Sequence, residues 1–138
     1  MVVAYIDGGA RGNPGPAGYG VHIQSADGSV LHQLHGALGI ATNNVAEYNG
    51  LLAALQWAVS NNVPRLHIRA DSELLVKQMR GEYRVKHPGL QPLHARARLL
   101  AAKLDDVKFE HVRRESNKEA DRLSNLGMDE AEAQLKRP

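Results

Sequence analysis

The chain has 138 residues, 43% hydrophobic and 23% charged, with a formal net charge of +2, a balance that fits one globular domain with its own core. The absence of cysteine excludes disulfides, a thiolate nucleophile and a Cys-based zinc site. No apolar run approaches membrane-spanning length and no signal-peptide pattern opens the chain, so a cytoplasmic location with no membrane association is expected.

Val2–Ile6 (VVAYI) is a short apolar run typical of a strand buried on both faces, and Asp7 is expected to end it. Gly8, Gly9, Gly12 and Gly15 follow, with Pro14 and Pro16 among them. Such a turn puts a carboxylate at the rim of a sheet, where the bare backbone lets a ligand or second strand come close. Alone, however, Asp-Gly-Gly reads better as an acid that starts a turn. Ala17–Gln24 reads as a second strand, and Asp27-Gly28 is a strong hairpin signal leading into a third, Val30–Leu38.

Asn43 and Asn44 open a long helix to about Asn61, with Asn44 as its cap and Glu47 at capping-box spacing. That helix is apolar nearly all round, and Asn61-Asn62-Val63-Pro64 stops it. Arg65–Ala70 is a fourth strand, ending at Asp71. Ser72 caps a short helix, Glu73–Arg80, which Gly81 closes. From Lys77 to Arg98 the bases Lys77, Arg80, Arg84, Lys86, Arg96 and Arg98 face one acid, Glu82. His87-Pro88 begins a helix through about Leu104, Val107–Val112 is a fifth strand, and Ser116–Glu119 is a second capping-box pattern. The last helix carries Asp121, and residues past Gly127 read as a frayed helix. The order β-β-β-α-β-α-α-β-α implies an α/β fold: a mixed five-stranded sheet, three antiparallel strands then parallel ones, with helices on both faces.

Asp7 and Asp71 thus sit at the C-terminal ends of buried strands, where ligands of open α/β sheets bind. Glu47 shares a helix face with Leu51, Ala54, Leu55 and Ala58 and is expected to point inward. Taken singly, each acid has a structural explanation: a turn for Asp7, a capping box for Glu47, the helix N-terminus for Asp121. Together they shift the reading. Crowded carboxylates repel and raise each other's pKa, and such a cluster persists most readily around divalent cations. Oxygen ligands without cysteine favour Mg²⁺ or Mn²⁺ over zinc, and two such ions can clamp a phosphodiester for hydrolysis.

At this point the sequence resembles a type 1 ribonuclease H (RNase HI). The matching segments are IDGGARGNPGPAGYG (6–20), TNNVAEYNGLLAAL (42–55), ADSELLVKQMRG (70–81) and HVRRESNKEAD (111–121), and they span almost the whole chain. The resemblance implies an RNase H-like fold in one domain over 1–127, with 128–138 as a C-terminal helical extension or tail. It implies that Asp7, Glu47, Asp71 and Asp121 bind two Mg²⁺ ions, for which Mn²⁺ can substitute. The implied reaction is cleavage of the RNA strand of an RNA–DNA hybrid, leaving 3′-hydroxyl and 5′-phosphate ends, by a monomer; duplex RNA is a further candidate substrate. By the same match Asn13 and Asn44 contact the hybrid backbone, Asn43 is their companion amide, and Gly8 and Gly9 let the RNA come close.

The chain departs from the best-known bacterial pattern in three places. The basic protrusion is missing, since Gly81 runs almost directly into YRVKHPGLQPLHARARLL. The loop that normally carries a histidine is the short RRESN (113–117), which has none and resembles archaeal-type members. Glu73 stands where an amide often contacts RNA, and it receives no substrate role. The seven histidines show no metal-ligand spacing. The alternative reading is a catalytically silent nucleic-acid-binding module of the same fold, which loss of one acid would mark. A transposase or integrase would place its glutamate last, and an actin-like ATPase would need far more chain.

Overall fold

A computed structural model describes residues 1–137. Its elements are β1 (Val2–Ala10), β2 (Gly15–Gln24), β3 (Val30–Ala41), α1 (Asn43–Ser60), β4 (Arg65–Ala70), α2 (Glu73–Met79), α3 (Gln91–Ala101), β5 (Asp106–His111) and α4 (Lys118–Leu135), with a single 3₁₀ turn at Arg114–Ser116. The element order is the expected one. The sheet runs β3-β2-β1-β4-β5, antiparallel across β3, β2 and β1 and parallel across β1, β4 and β5.

Side-chain alternation along the strands assigns the two faces. Ala4, Ile6, Val21, Ile23, Leu66 and Ile68 are fully buried and pack in the main core with Tyr48, Leu51 and Leu55 of α1. The same core takes in Leu75 and Val76 of α2 and Ala97 and Leu100 of α3. Being enclosed by sheet and helices explains why α1 is apolar nearly all round. Tyr48 ties α1 to α2 by donating its hydroxyl to Gln78 Oε1 at 2.6 Å, both residues being buried. The opposite face of β1, β2 and β3 is covered by α4 at backbone range. A Cβ on Gly18 would lie 2.4 Å from the carbonyl carbon of Gly127, and one on Gly20 would lie 2.5 Å from Ala120 O. Real Cβ atoms do not approach that closely, so the glycines are what lets helix and sheet meet.

Several boundaries differ from expectation. β1 does not end at Asp7 but continues to Ala10, because Asp7, Gly8, Gly9 and Ala10 stay paired with Gly20, Tyr19, Gly18 and Ala17 of β2. Its parallel partner does stop there: the last β1–β4 pair is Ile6 with Ala70. The cap of α1 is Thr42, whose Oγ1 accepts from Val45 N–H at 3.2 Å, and not Asn44. α3 starts at Gln91 rather than at His87-Pro88 and ends at Ala101 rather than near Leu104. In the segment before it, His87 Nδ1 accepts from Gly89 N–H, a turn rather than a helix. Ser116 does not cap the last helix; its cap residue is Asn117, whose side chain donates instead to Ile6 O at 2.8 Å. Finally, α4 passes through Gly127 without a break, because that glycine serves packing against Gly18 and Gly36 and not a helix stop.

Candidate active site

Where β4 ends, β1 gains an open side, and three elements converge on it. Asp7 is in β1, buried, with Oδ1 accepting from Gly8 N–H at 2.9 Å and Oδ2 from Ser124 Oγ at 3.2 Å. Asp71 follows the last residue of β4. Glu47 lies one turn into α1, and α1 reaches this close because residue 8 is glycine: a Cβ there would lie 2.3 Å from Ala46 C. Asp7, Glu47 and Asp71 each offer a carboxylate oxygen such that all three atoms lie within 4.8 Å of one another. Among the described residues this is the one such group of metal-ligating side chains, and no histidine joins it.

Asp121 lines the same cleft, of about 390 Å³, with Gly8, Gly9, Asn43, Arg114, Ser124 and Asn125, but it is not part of the close trio. With Thr42 as cap, Glu47 is two positions beyond the capping-box site, so its carboxylate has no helix N–H to serve. Its Oε2 is sealed from solvent and has no hydrogen-bond partner.

The electrostatics follow from that geometry. Burial, then the charge of Asp71, pushes the Asp7 carboxyl up to about 7, with Asp121 adding to the effect and the Gly8 N–H opposing it. Burial, then the charges of Asp7 and Asp71, holds Glu47 well above the ordinary glutamate range, with Arg114 opposing. An orphaned carboxylate oxygen beside two like charges, all donors being oxygen, fits a hard divalent cation as the missing partner.

Of the amides expected to touch substrate, Asn43 lines the cleft, and its oxygen and that of Asn13 are already occupied. Asn43 Oδ1 accepts from Ala10 N–H at 2.8 Å, and Asn13 Oδ1 accepts from Asn43 N–H at 3.0 Å. Asn44, freed from capping, is exposed and shares a hollow of about 130 Å³ with Asn13, Thr42, His87 and Leu90. A Cβ on Gly9 would lie 3.4 Å from Met128 Cε of α4. Glu73 is bound to Lys77 at 2.9 Å, one turn on, and Lys77 also reaches Tyr83. Arg80 donates to Phe109 O, while Arg84, Lys86, Arg96 and Arg98 remain exposed. Sequence reasoning missed Ser124 and Asn125; the available signal was their spacing of three and four residues from Asp121, on one helix face.

The family model described as "Reverse transcriptase-like" matches residues 5–127. A crystal structure of RNase H1 from the halophilic archaeon Halobacterium salinarum superposes with a TM-score of 0.90 at 41% identity, covering 94% of this chain and 98% of that one. The chain belongs to the type 1 ribonuclease H family. Among other RNase H relatives, the N-terminal RNase H domain of a Mycobacterium tuberculosis protein gives a TM-score of 0.94 at 47% identity over 97% of each chain. LC11-RNase H1, solved in complex with an RNA/DNA hybrid, gives 0.89 at 40% identity over 95% of this chain and 99% of that one. The full mycobacterial protein, named as bifunctional, is 49% identical over 131 residues, and the chain spans 94% of itself but 36% of that relative's length. The fold of the sheet and helices is therefore that of the family, and the acidic cluster is carried on this chain's own residues.

Proposed function

We propose that this chain is an endoribonuclease that hydrolyses the RNA strand of RNA–DNA hybrids, leaving 5′-phosphate and 3′-hydroxyl ends. The observation that supports it most is the convergence of Asp7, Glu47 and Asp71 from three separate elements, with Glu47 Oε2 buried and unpartnered. In this reading these three and Asp121 hold two Mg²⁺ ions, or Mn²⁺ in their place. When bound, such ions supply Lewis acidity toward the attacking water and the leaving oxygen.

The remaining work belongs to the protein. Ser124 and Gly8 N–H fix the Asp7 carboxylate, and Arg114 sets a positive charge beside Glu47, where the phosphate arrives. Asn13 and Asn43, their amide oxygens engaged by backbone N–H groups, present NH₂ donors to the sugar–phosphate chain, with Asn44 beside them. Gly8 and Gly9 line the cleft where the RNA backbone would pass, although the side-chain position of Gly8 is taken by α1 and that of Gly9 faces Met128. Residues 1–127 carry all four acids, and α4 runs on beyond them, with Met128 also lining the cleft. With all four acids present, no observation favours a silent binding module.

Labelled RNA–DNA hybrid, duplex RNA and duplex DNA, each with and without Mg²⁺, test this directly. Hybrid RNA should be cut only with metal, DNA duplex not at all, and the duplex-RNA arm reports how relaxed the site is. An intact hybrid in both Mg²⁺ and Mn²⁺ would overturn the proposal. Hybrid affinity should also fall with added salt, since phosphate contacts release counterions.

A further inference from the structure

The turn between β1 and β2 carries Asn13, yet its firmest tether is to α4. Arg11 spreads its guanidinium over three residues on one stripe of that helix: Nη1 meets Asp129 Oδ1 at 2.7 Å and Glu132 Oε1 at 3.0 Å, and Nη2 donates to Asn125 Oδ1 at 3.3 Å. The same helix donates from Ser124 to Asp7 and presents Asp121 to the cleft. On the other side of the turn, Asn13 Oδ1 receives Asn43 N–H, and Asn43 Oδ1 receives Ala10 N–H. α4, the 11–14 turn and the start of α1 are thereby linked in one chain of contacts beside the cleft. A planar guanidinium presents donors from separate nitrogens at fixed angles, whereas an ammonium gathers its three donors on one atom.

We propose that Arg11 is a positioning residue that locks the Asn13-bearing turn to α4 and so sets the distance between the hybrid-binding amides and the acidic cluster. This rests on the hybrid-cleavage reading above. Because Arg11, Asp129 and Glu132 are each partly exposed, their ion pairs contribute little to global stability. Their effect is expected in substrate positioning, where small misplacements are costly.

Steady-state cleavage of labelled hybrid in Mg²⁺ by wild type, Arg11→Gln, Arg11→Lys and the double variant Asp129→Asn/Glu132→Gln tests this, with thermal melting alongside. Both Arg11→Gln and the double variant should raise KM roughly three- to tenfold, with kcat within about twofold of wild type and melting nearly unchanged. Arg11→Lys should recover only part of the loss. The double variant keeps the arginine charge but frees it, so a KM at or below the wild-type value there, beside a raised KM in Arg11→Gln, would show direct phosphate contact and overturn the positioning role. A wild-type KM in both, or losses that track melting alone, would overturn it as well. Failure of wild type itself to cut hybrid would instead defeat the functional reading and leave Arg11 as a structural tether only.

Discussion

Two groups of charged and polar side chains meet β1 only two residues apart, at Tyr5 and Asp7, and they are built in opposite ways. Tyr5, Arg69 and Glu110 lie in register across β1, β4 and β5. Arg69 donates from Nε to Glu110 at 3.0 Å and from Nη1 to Tyr5 OH at 2.7 Å, and His67 Nε2 adds a contact to Glu110 at 2.9 Å. Each charge there has a partner. Asp7, Glu47 and Asp71 have mostly each other, and Arg114 is the cation that opposes the Glu47 shift. The first group is what a fold does with charge when only stability matters; the second is tolerated repulsion, which marks a site built for something absent from the chain itself.

The sharpest way to break that contrast is to neutralise one acid at a time. Asp7→Asn, Glu47→Gln and Asp71→Asn should each lower Mg²⁺-dependent hybrid cleavage about a thousandfold or more, without unfolding the protein. Asp71→Asn should also melt higher than wild type in EDTA, because repulsion falls. Near-normal turnover in any of the three would remove that residue from the site.

Next in size is a pH effect on the metal-free protein. Asp7 titrates near 4 when unfolded and at about 7 when folded, so between those values the folded state holds the extra proton. Stability is therefore greatest below about pH 4 on this account and declines as pH rises toward 7, by on the order of 2–4 kcal/mol as an upper bound. Glu47, raised in the same direction, adds to the decline. Melting temperatures in EDTA from pH 4.5 to 8 should fall, and Mg²⁺ should reverse the fall at neutral pH. A flat profile would mean that the acids are less buried than the geometry indicates.

The smallest effect is expected in the paired group. Glu110→Gln should cost about 0.5 kcal/mol or less, because the pair is partly solvated, and should leave hybrid cleavage unchanged. A large loss of activity there would erase the distinction between the two groups.

Much of this was legible in the chain. Apolar runs, turn residues and helical periodicity act within a few residues, so the element order, the mixed sheet and the acids at 7, 47 and 71 could be read directly. The cap of α1 is ambiguous in the sequence because Thr42 and Asn44 are both good caps, and only the backbone entry into the helix chooses Thr42. That choice is what strips Glu47 of its local role. Similarly, Gly127 looks like a helix stop until the sheet is in place and its missing side chain proves to be the seat for Gly36 O.

By itself, then, the sequence determined which elements form and which charged residues they carry, since those follow from spacing along a single segment. Tertiary structure alone decided that β1 outlasts its parallel neighbour, that α1 and α4 come down on glycine, and that Asp121 borders the trio instead of joining it. The reason is one of range: hydrogen-bond patterns and periodicity are local, whereas the approach of two backbones is fixed by residues from distant parts of the chain meeting where no side chain stands between them.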